Sequence, residues 1–212
     1  MRRLSKNSAP EWLQLHQEER TREYLAAPKD HKPRPWSNTE VINALKIEAS
    51  HKCIYCESII DDVSYSTVDH IKPKKVFPDM VLDWKNLGIA CSRCNTNKSD
   101  YWTNDEGLRL LNPFEDDIEE HLQFLGPLTV ALLSSSRGKN TLRQLKFVER
   151  EDLLISRMRR IEDLDRILRI WADTDNPEYR AVYAEDVRDC IGESREFAGV
   201  LRSYAASLGF EV

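Results

Sequence analysis

Two Cys-x-x-Cys pairs stand in the chain, "CIYC" at 53–56 and "CSRC" at 91–94, with 34 residues between them. Four thiolates in two such pairs can present a tetrahedral sulfur shell to zinc. A shell closed by Cys53, Cys56, Cys91 and Cys94 leaves no open position, so zinc there is structural and pins both ends of the intervening segment. Taken singly, each pair also fits a redox dithiol or ordinary buried cysteine; together they favour zinc. The spacing exceeds that of common zinc ribbons, which predicts a functional insert between the pairs.

Inside the insert lies "VDHIKPKK", and "NTNKSD" follows the second pair. Asp69 is a hard oxygen ligand of the kind magnesium or manganese takes, with waters and substrate phosphate completing the shell. The neighbouring His70 points to the opposite face if both sit on a strand. Its imidazole is suited to taking a proton from water at neutral pH. Asn95 offers a second oxygen ligand at the start of a helix. Lys98, one turn on, shares its side and could hold a phosphate. Asn86, in the loop between, could hydrogen-bond the backbone that carries His70. Each residue alone also has an ordinary structural reading: a satisfied histidine, a turn asparagine, a solvated lysine. Their combination is the specific signal.

The elements that must position these residues follow from local patterns. "SAPEWLQLHQEERTREYLAA" reads as a helix opened near Pro10 and ended before Pro28. "SNTE", Ser37 to Glu40, has capping-box spacing before a second helix through "VINALKIEA". "VSYSTVDHI" (63–71) alternates and predicts a strand. "LDWKNLGIAC" leads into the second cysteine pair, and a short helix begins near "NTNKSDYW". "HLQFL" and "LTVALLSS" predict short strands around Gly126-Pro127. A helix is expected near 139–146, then a long one over 149–174 with a stripe of Leu154, Met158, Ile161, Leu164 or Leu168, and Trp171. Asn176-Pro177 ends it, and Gly192 separates two last helices. Cys190 reads as a small buried thiol on a helix. The expected division is a helical extension (1–50), a core (51–103) and a mostly helical C-terminal region (104–212).

Composition bounds the rest. The chain has 212 residues and a formal charge of −5. The acidity belongs to residues 104–212, which carry 15 basic and 22 acidic residues, whereas 51–103 carry 7 of each. A phosphate backbone needs only local positive potential. Lys72, Lys74, Lys75, Lys85, Arg93 and Lys98 would supply it; the same residues also fit a merely solvated loop. No apolar run approaches the roughly 20 residues of a membrane span. No apolar stretch follows the opening arginines, so a cytoplasmic location and reduced thiols are expected.

The string "CIYC…VDHIKPKK…WKNLGIACSRCNTNKSD" resembles the HNH, or ββα-metal, endonucleases over about 50 residues. The resemblance implies an α+β fold with a zinc-framed ββα-metal core, N-terminal helices and a mainly helical C-terminal region. By it, His70 is the general base, Asp69 and Asn95 bind a catalytic Mg²⁺ or Mn²⁺, and Asn86 orients the base. Asn95 stands where many members have histidine. Substrates of such sites include DNA and RNA, tRNA among them. A wider, softer likeness runs through "MRRL…AP", "LLNPFEDD…HLQFL" and "NTLRQL". These resemble the HNH subunit of Septu-type anti-phage systems, a subunit type found also in some retrons. That likeness implies an ABC-type, SMC-like ATPase as partner, docked on the acidic helical tail. The rival reading is a zinc-knuckle adaptor that binds nucleic acid or protein without chemistry; it has no use for Asp69, His70 or Asn95.

Overall fold

The computed structural model describes residues 1–60 and 66–212. Helix α1 spans Glu11–Ala26 and α2 spans Thr39–Glu48. The cap of α2 is Asn38, whose Oδ1 accepts from the amides of Glu40 (2.8 Å) and Val41 (3.4 Å). Ser37, expected as the cap, instead closes a preceding single turn. An asparagine side chain reaches the same two amides, so the capping function moves by one residue.

Strand β1 (Ser66–His70) pairs antiparallel with β2 (Leu87–Cys91), Asp69 opposite Gly88 and His70 opposite Leu87. The expected strand began at 63; residues 63–65 lie outside the described residues. Helix α3 (Ser92–Lys98) starts inside the second cysteine pair, capped by Cys91, whose Sγ accepts from the amide of Cys94 (3.4 Å). Two strands between the cysteine knuckles, followed by a helix that starts in the second knuckle, make the ββα-metal core.

A second hairpin, β3 (Leu122–Leu125) with β4 (Leu128–Ala131), turns at Gly126-Pro127. Helix α4 (Ser136–Gln144) starts earlier than expected because Ser135 caps it, accepting from the amide of Gly138 (2.9 Å). Gly138 must lack a side chain: a Cβ would lie 2.5 Å from the carbonyl oxygen of His121. Helices α5 (Glu151–Asp173), α6 (Pro177–Cys190) and α7 (Ala198–Ser207) complete the chain. Among the described residues no helix is long and apolar enough to cross a membrane.

The main core joins both cysteine knuckles, α1, α2 and the β1–β2 hairpin to Leu111, Ile118, Leu122, Leu142, Phe147, Leu153 and Phe197. Apolar packing therefore runs continuously across position 104. A second cluster of Leu164, Leu168, Ala184, Val187, Ile191, Leu201, Ala205 and Phe210 holds α5, α6 and α7 together. Cys190 is half-buried beside that cluster, and burial raises its thiol pKa.

The first turns of α5 depart from the expected stripe. Leu153 and Arg157 are buried, Leu154 is half-buried and Met158 is 48% exposed. Arg157 occupies the core-facing position because polar partners await it there. Its guanidinium donates to Thr129 Oγ1 (2.8 Å), the Pro127 carbonyl (3.1 Å) and the Cys56 carbonyl (3.3 Å). It also lies within 6 Å of the rings of Phe124, Phe147 and Phe197.

Candidate active site and metal centres

The sulfurs of Cys53, Cys56, Cys91 and Cys94 all lie within 4.8 Å of one another, and all four residues are buried. Zinc–sulfur bonds of about 2.3 Å in a tetrahedron place sulfurs about 3.8 Å apart. Cys56 and Cys91 are separated by 3.8 Å. The donor set is therefore that of a closed structural zinc site.

The other end of the hairpin holds the remaining candidates. Asp69, His70, Asn95, Val68, Pro73, Lys74, Ser99 and Asp100 line one small cavity of about 40 Å³. Asp69 is 2% exposed. The Tyr55 hydroxyl donates to its Oδ2 (2.6 Å), and the Lys98 ammonium donates to its Oδ1 (3.0 Å). Burial, and then the carboxylate beside it, push the Tyr55 phenol well above its ordinary pKa, so it serves as a donor.

His70, next on the strand, has a separate set of partners. Its Nε2 lies 3.0 Å from the Val81 carbonyl oxygen. A carbonyl only accepts, so Nε2 carries the hydrogen of the neutral ring and Nδ1 keeps the lone pair. Burial lowers the pKa to about 4, against the opposing pull of the Val81 carbonyl, and the ring is neutral at pH 7. Trp36 stands edge-on to the imidazole, with centroids 4.9 Å apart at 89°.

Asn86 fixes the loop leaving His70. It is 3% exposed. Its Oδ1 accepts from the Lys72 amide (2.7 Å), and its Nδ2 donates to the carbonyls of Lys72 (3.0 Å) and Met80 (3.1 Å). Its own carbonyl accepts from the Ile71 amide (2.9 Å). The expected bond to the backbone carrying His70 thus falls on the next two residues.

Lys98 differs from expectation. The residue is 1% exposed, and its ammonium also donates to the His70 carbonyl (2.7 Å). Helical spacing turns it under β1 rather than outward, so it ties α3 to the strand end instead of offering a free charge to phosphate. Arg93 pairs with Asp152 (2.7 Å), and Lys75 lies 3.7 Å from Asp100. Of the basic residues named from sequence, only Lys74 both lines the cavity and retains its ammonium outside those pairs, at 5.4 Å from the Trp36 ring.

Sequence reasoning missed Tyr55, Trp36 and Asn97. Tyr55 could have been found: it is the polar aromatic inside the first Cys-x-x-Cys. Trp36 comes from a distant loop and gives no local signal. Asn97 Nδ2 donates to the Leu145 carbonyl (2.9 Å), and Gln144 Nε2 donates to the Asn97 carbonyl (3.0 Å), joining α3 to α4.

The HNH endonuclease family model matches residues 53–101, the segment that holds both cysteine pairs, Asp69, His70, Asn86 and Asn95. The chain carries an HNH endonuclease domain. It is also similar to two curated proteins, each named Septu protein PtuB. The one from Bacillus mycoides (strain KBAB4) is 29% identical over 158 residues, 61% of this chain and 54% of that protein. The one from Bacillus thuringiensis is 29% identical over 138 residues, 63% of this chain and 52% of that protein. The chain spans about half the length of the curated relatives it matches. The HNH domain is therefore set in a chain that resembles PtuB well beyond the domain itself.

Proposed function

We propose that the chain is a metal-dependent endonuclease that hydrolyses nucleic-acid phosphodiester bonds. We further propose that it is the effector subunit of a Septu-type anti-phage complex with an ABC/SMC-like ATPase. One observation carries the catalytic reading: Asp69, His70 and Asn95 border the same cavity at the end of a cysteine-clamped hairpin, and Nδ1 of His70 keeps its lone pair. The similarity to PtuB carries the defence reading.

In this reading Asp69 and Asn95 hold Mg²⁺ or Mn²⁺. The oxygen donors and the confined cavity fit a hard cation. When bound, such an ion stabilises the negative charge that builds on phosphate oxygens. Lys98 on Asp69 and Lys74 on the rim offset the charges of Asp69 and Asp100, so these residues alone would attract a dication only weakly. Substrate phosphate then completes the site.

His70 accepts a proton from water at Nδ1. The hydroxide oxygen bonds to phosphorus as one phosphorus–oxygen ester bond breaks, and solvent protonates the leaving oxygen. The Val81 carbonyl steadies the imidazolium through Nε2–H. A phosphodiester anion beside the ring raises its proton affinity from the low value of the free site. Asn86 holds the loop that sets the ring's position.

The test compares wild type and His70→Ala on DNA and on RNA, with Mg²⁺ or Mn²⁺ and the co-purified ATPase. The variant is expected to cleave on the order of 100- to 10,000-fold more slowly. Equal cleavage by both proteins removes the assignment. A protein that retains zinc, binds nucleic acid and never cleaves it is the adaptor instead.

A further inference from the structure

We propose that Arg150 is an outer-sphere partner of the zinc thiolates, making the start of α5 part of the metal site. Four thiolates outnumber the charge of a zinc ion, so the filled cluster is an anion in a buried place. A buried anion is costly unless a cation or hydrogen-bond donor compensates it. Arg150 is 5% exposed and sits immediately before α5. Its Nη1 donates to Cys94 Sγ at 3.3 Å, while Nη2 holds Asp152 at 3.2 Å. A second arginine, Arg157 within α5, reaches the other knuckle through the Cys56 carbonyl. One helix and the residue before it thus bring two buried guanidiniums to the two cysteine pairs.

The consequence reaches the cavity. Cys94 immediately precedes Asn95, so whatever fixes the Cys94 sulfur also fixes the start of the carboxamide's backbone. Arg150 is in this sense a positioning residue, lying about 100 residues from Cys53 in sequence and outside the matched HNH segment. The inference rests on zinc occupying the four cysteines.

The test uses full-length protein with Arg150→Met, Arg150→Lys and, as a control, the exposed Arg159→Met. Zinc affinity is read by competition with a chromophoric chelator across pH. Cobalt substitution reports the sulfur-to-metal charge-transfer band. Arg150→Met is expected to weaken zinc binding 10- to 100-fold near neutral pH, the range for outer-shell partners. The pH of half-release should rise, and the cobalt band should move to longer wavelength as the sulfur loses a donor. Arg150→Lys should recover most of the affinity, because it keeps the charge, but not the band position. Arg159→Met should match wild type in both readouts. Wild-type affinity and band position in Arg150→Met would overturn the proposal. If Arg150→Met does not fold, an unshifted band in Arg150→Lys overturns it. Failure of wild type itself to bind zinc sinks the zinc reading, an outcome distinct from either.

Discussion

Replacing Asn86 tests whether the loop behind His70 is held as described. The side chain makes three hydrogen bonds of 2.7, 3.0 and 3.1 Å from a position 3% exposed. Each contributes about 1 kcal/mol net, and stranded buried partners cost about 1–3 kcal/mol. Asn86→Ala should therefore lose about 2–4 kcal/mol, since water can reach half-buried Lys72 and relieve part of the penalty. For a chain of this size that is roughly 5–15 °C in Tm. Asn86→Asp is the sharper variant. It can still accept from the Lys72 amide, but its second oxygen would face the carbonyls of Lys72 and Met80. Acceptor opposes acceptor, so Asn86→Asp should be at least as destabilised as Asn86→Ala near neutral pH, and should recover as acid protonates the carboxylate. Calorimetry of the zinc-loaded proteins reads the stability. Cleavage should fall about 10- to 100-fold, the usual cost of losing a residue that orients another. Both variants within about 0.5 kcal/mol of wild type, with full cleavage, would refute the positioning role.

The Asp69–Lys98 pair should behave as a buried ion pair: Asp69→Asn or Lys98→Met alone should cost about 3–5 kcal/mol, and the double variant less than the sum, read by a double-mutant cycle in denaturant. Lys52 is 2% exposed, donates to the carbonyls of Glu193 and Arg195, and has its pKa lowered to about 8, chiefly by burial. Between that value and its ordinary 10.5 the unfolded chain binds the extra proton, so this residue makes stability rise with pH across that window. Urea titrations should show a smaller rise in Lys52→Met than in wild type; the part that remains includes Lys6, whose pKa burial also lowers. Removing zinc with a chelator should unfold the core around the knuckles, because metal binding there is coupled to folding, and Cys91→Ser should do the same; unchanged near-ultraviolet circular dichroism after metal loss contradicts this.

The grouping of the candidate residues was legible where it depends on residue type and short spacing. Two Cys-x-x-Cys pairs, Asp69-His70 and Asn95 are local words, and the hairpin that joins them is short. Pro10 and Pro28, the Ser37–Glu40 capping-box spacing and Asn176-Pro177 marked the ends of α1, the start of α2 and the break between α5 and α6, because backbone constraints are local too. The stripe of α5 failed in its first turns because periodicity assumes that apolar side chains take the buried face; Arg157 takes it by satisfying carbonyls of other elements. The burial of Lys98 was not legible for the same reason, since a lysine becomes a core residue only when partners such as Asp69 and the His70 carbonyl meet it. Trp36 meets the His70 ring edge-on from a turn that nothing local connects to the site. The continuity of the core past residue 104 likewise depends on long-range packing of Leu111, Leu122, Leu142 and Phe147.

The most direct test is a manganese titration of zinc-loaded His70→Ala, which should not cleave, with an oligonucleotide present. Electron paramagnetic resonance of free Mn²⁺ counts what is bound. One Mn²⁺ site is expected, lost on adding Asp69→Ala or Asn95→Ala while zinc stays in place. A site that survives both substitutions, or none in the intact cavity with nucleic acid bound, would contradict a metal held by Asp69 and Asn95.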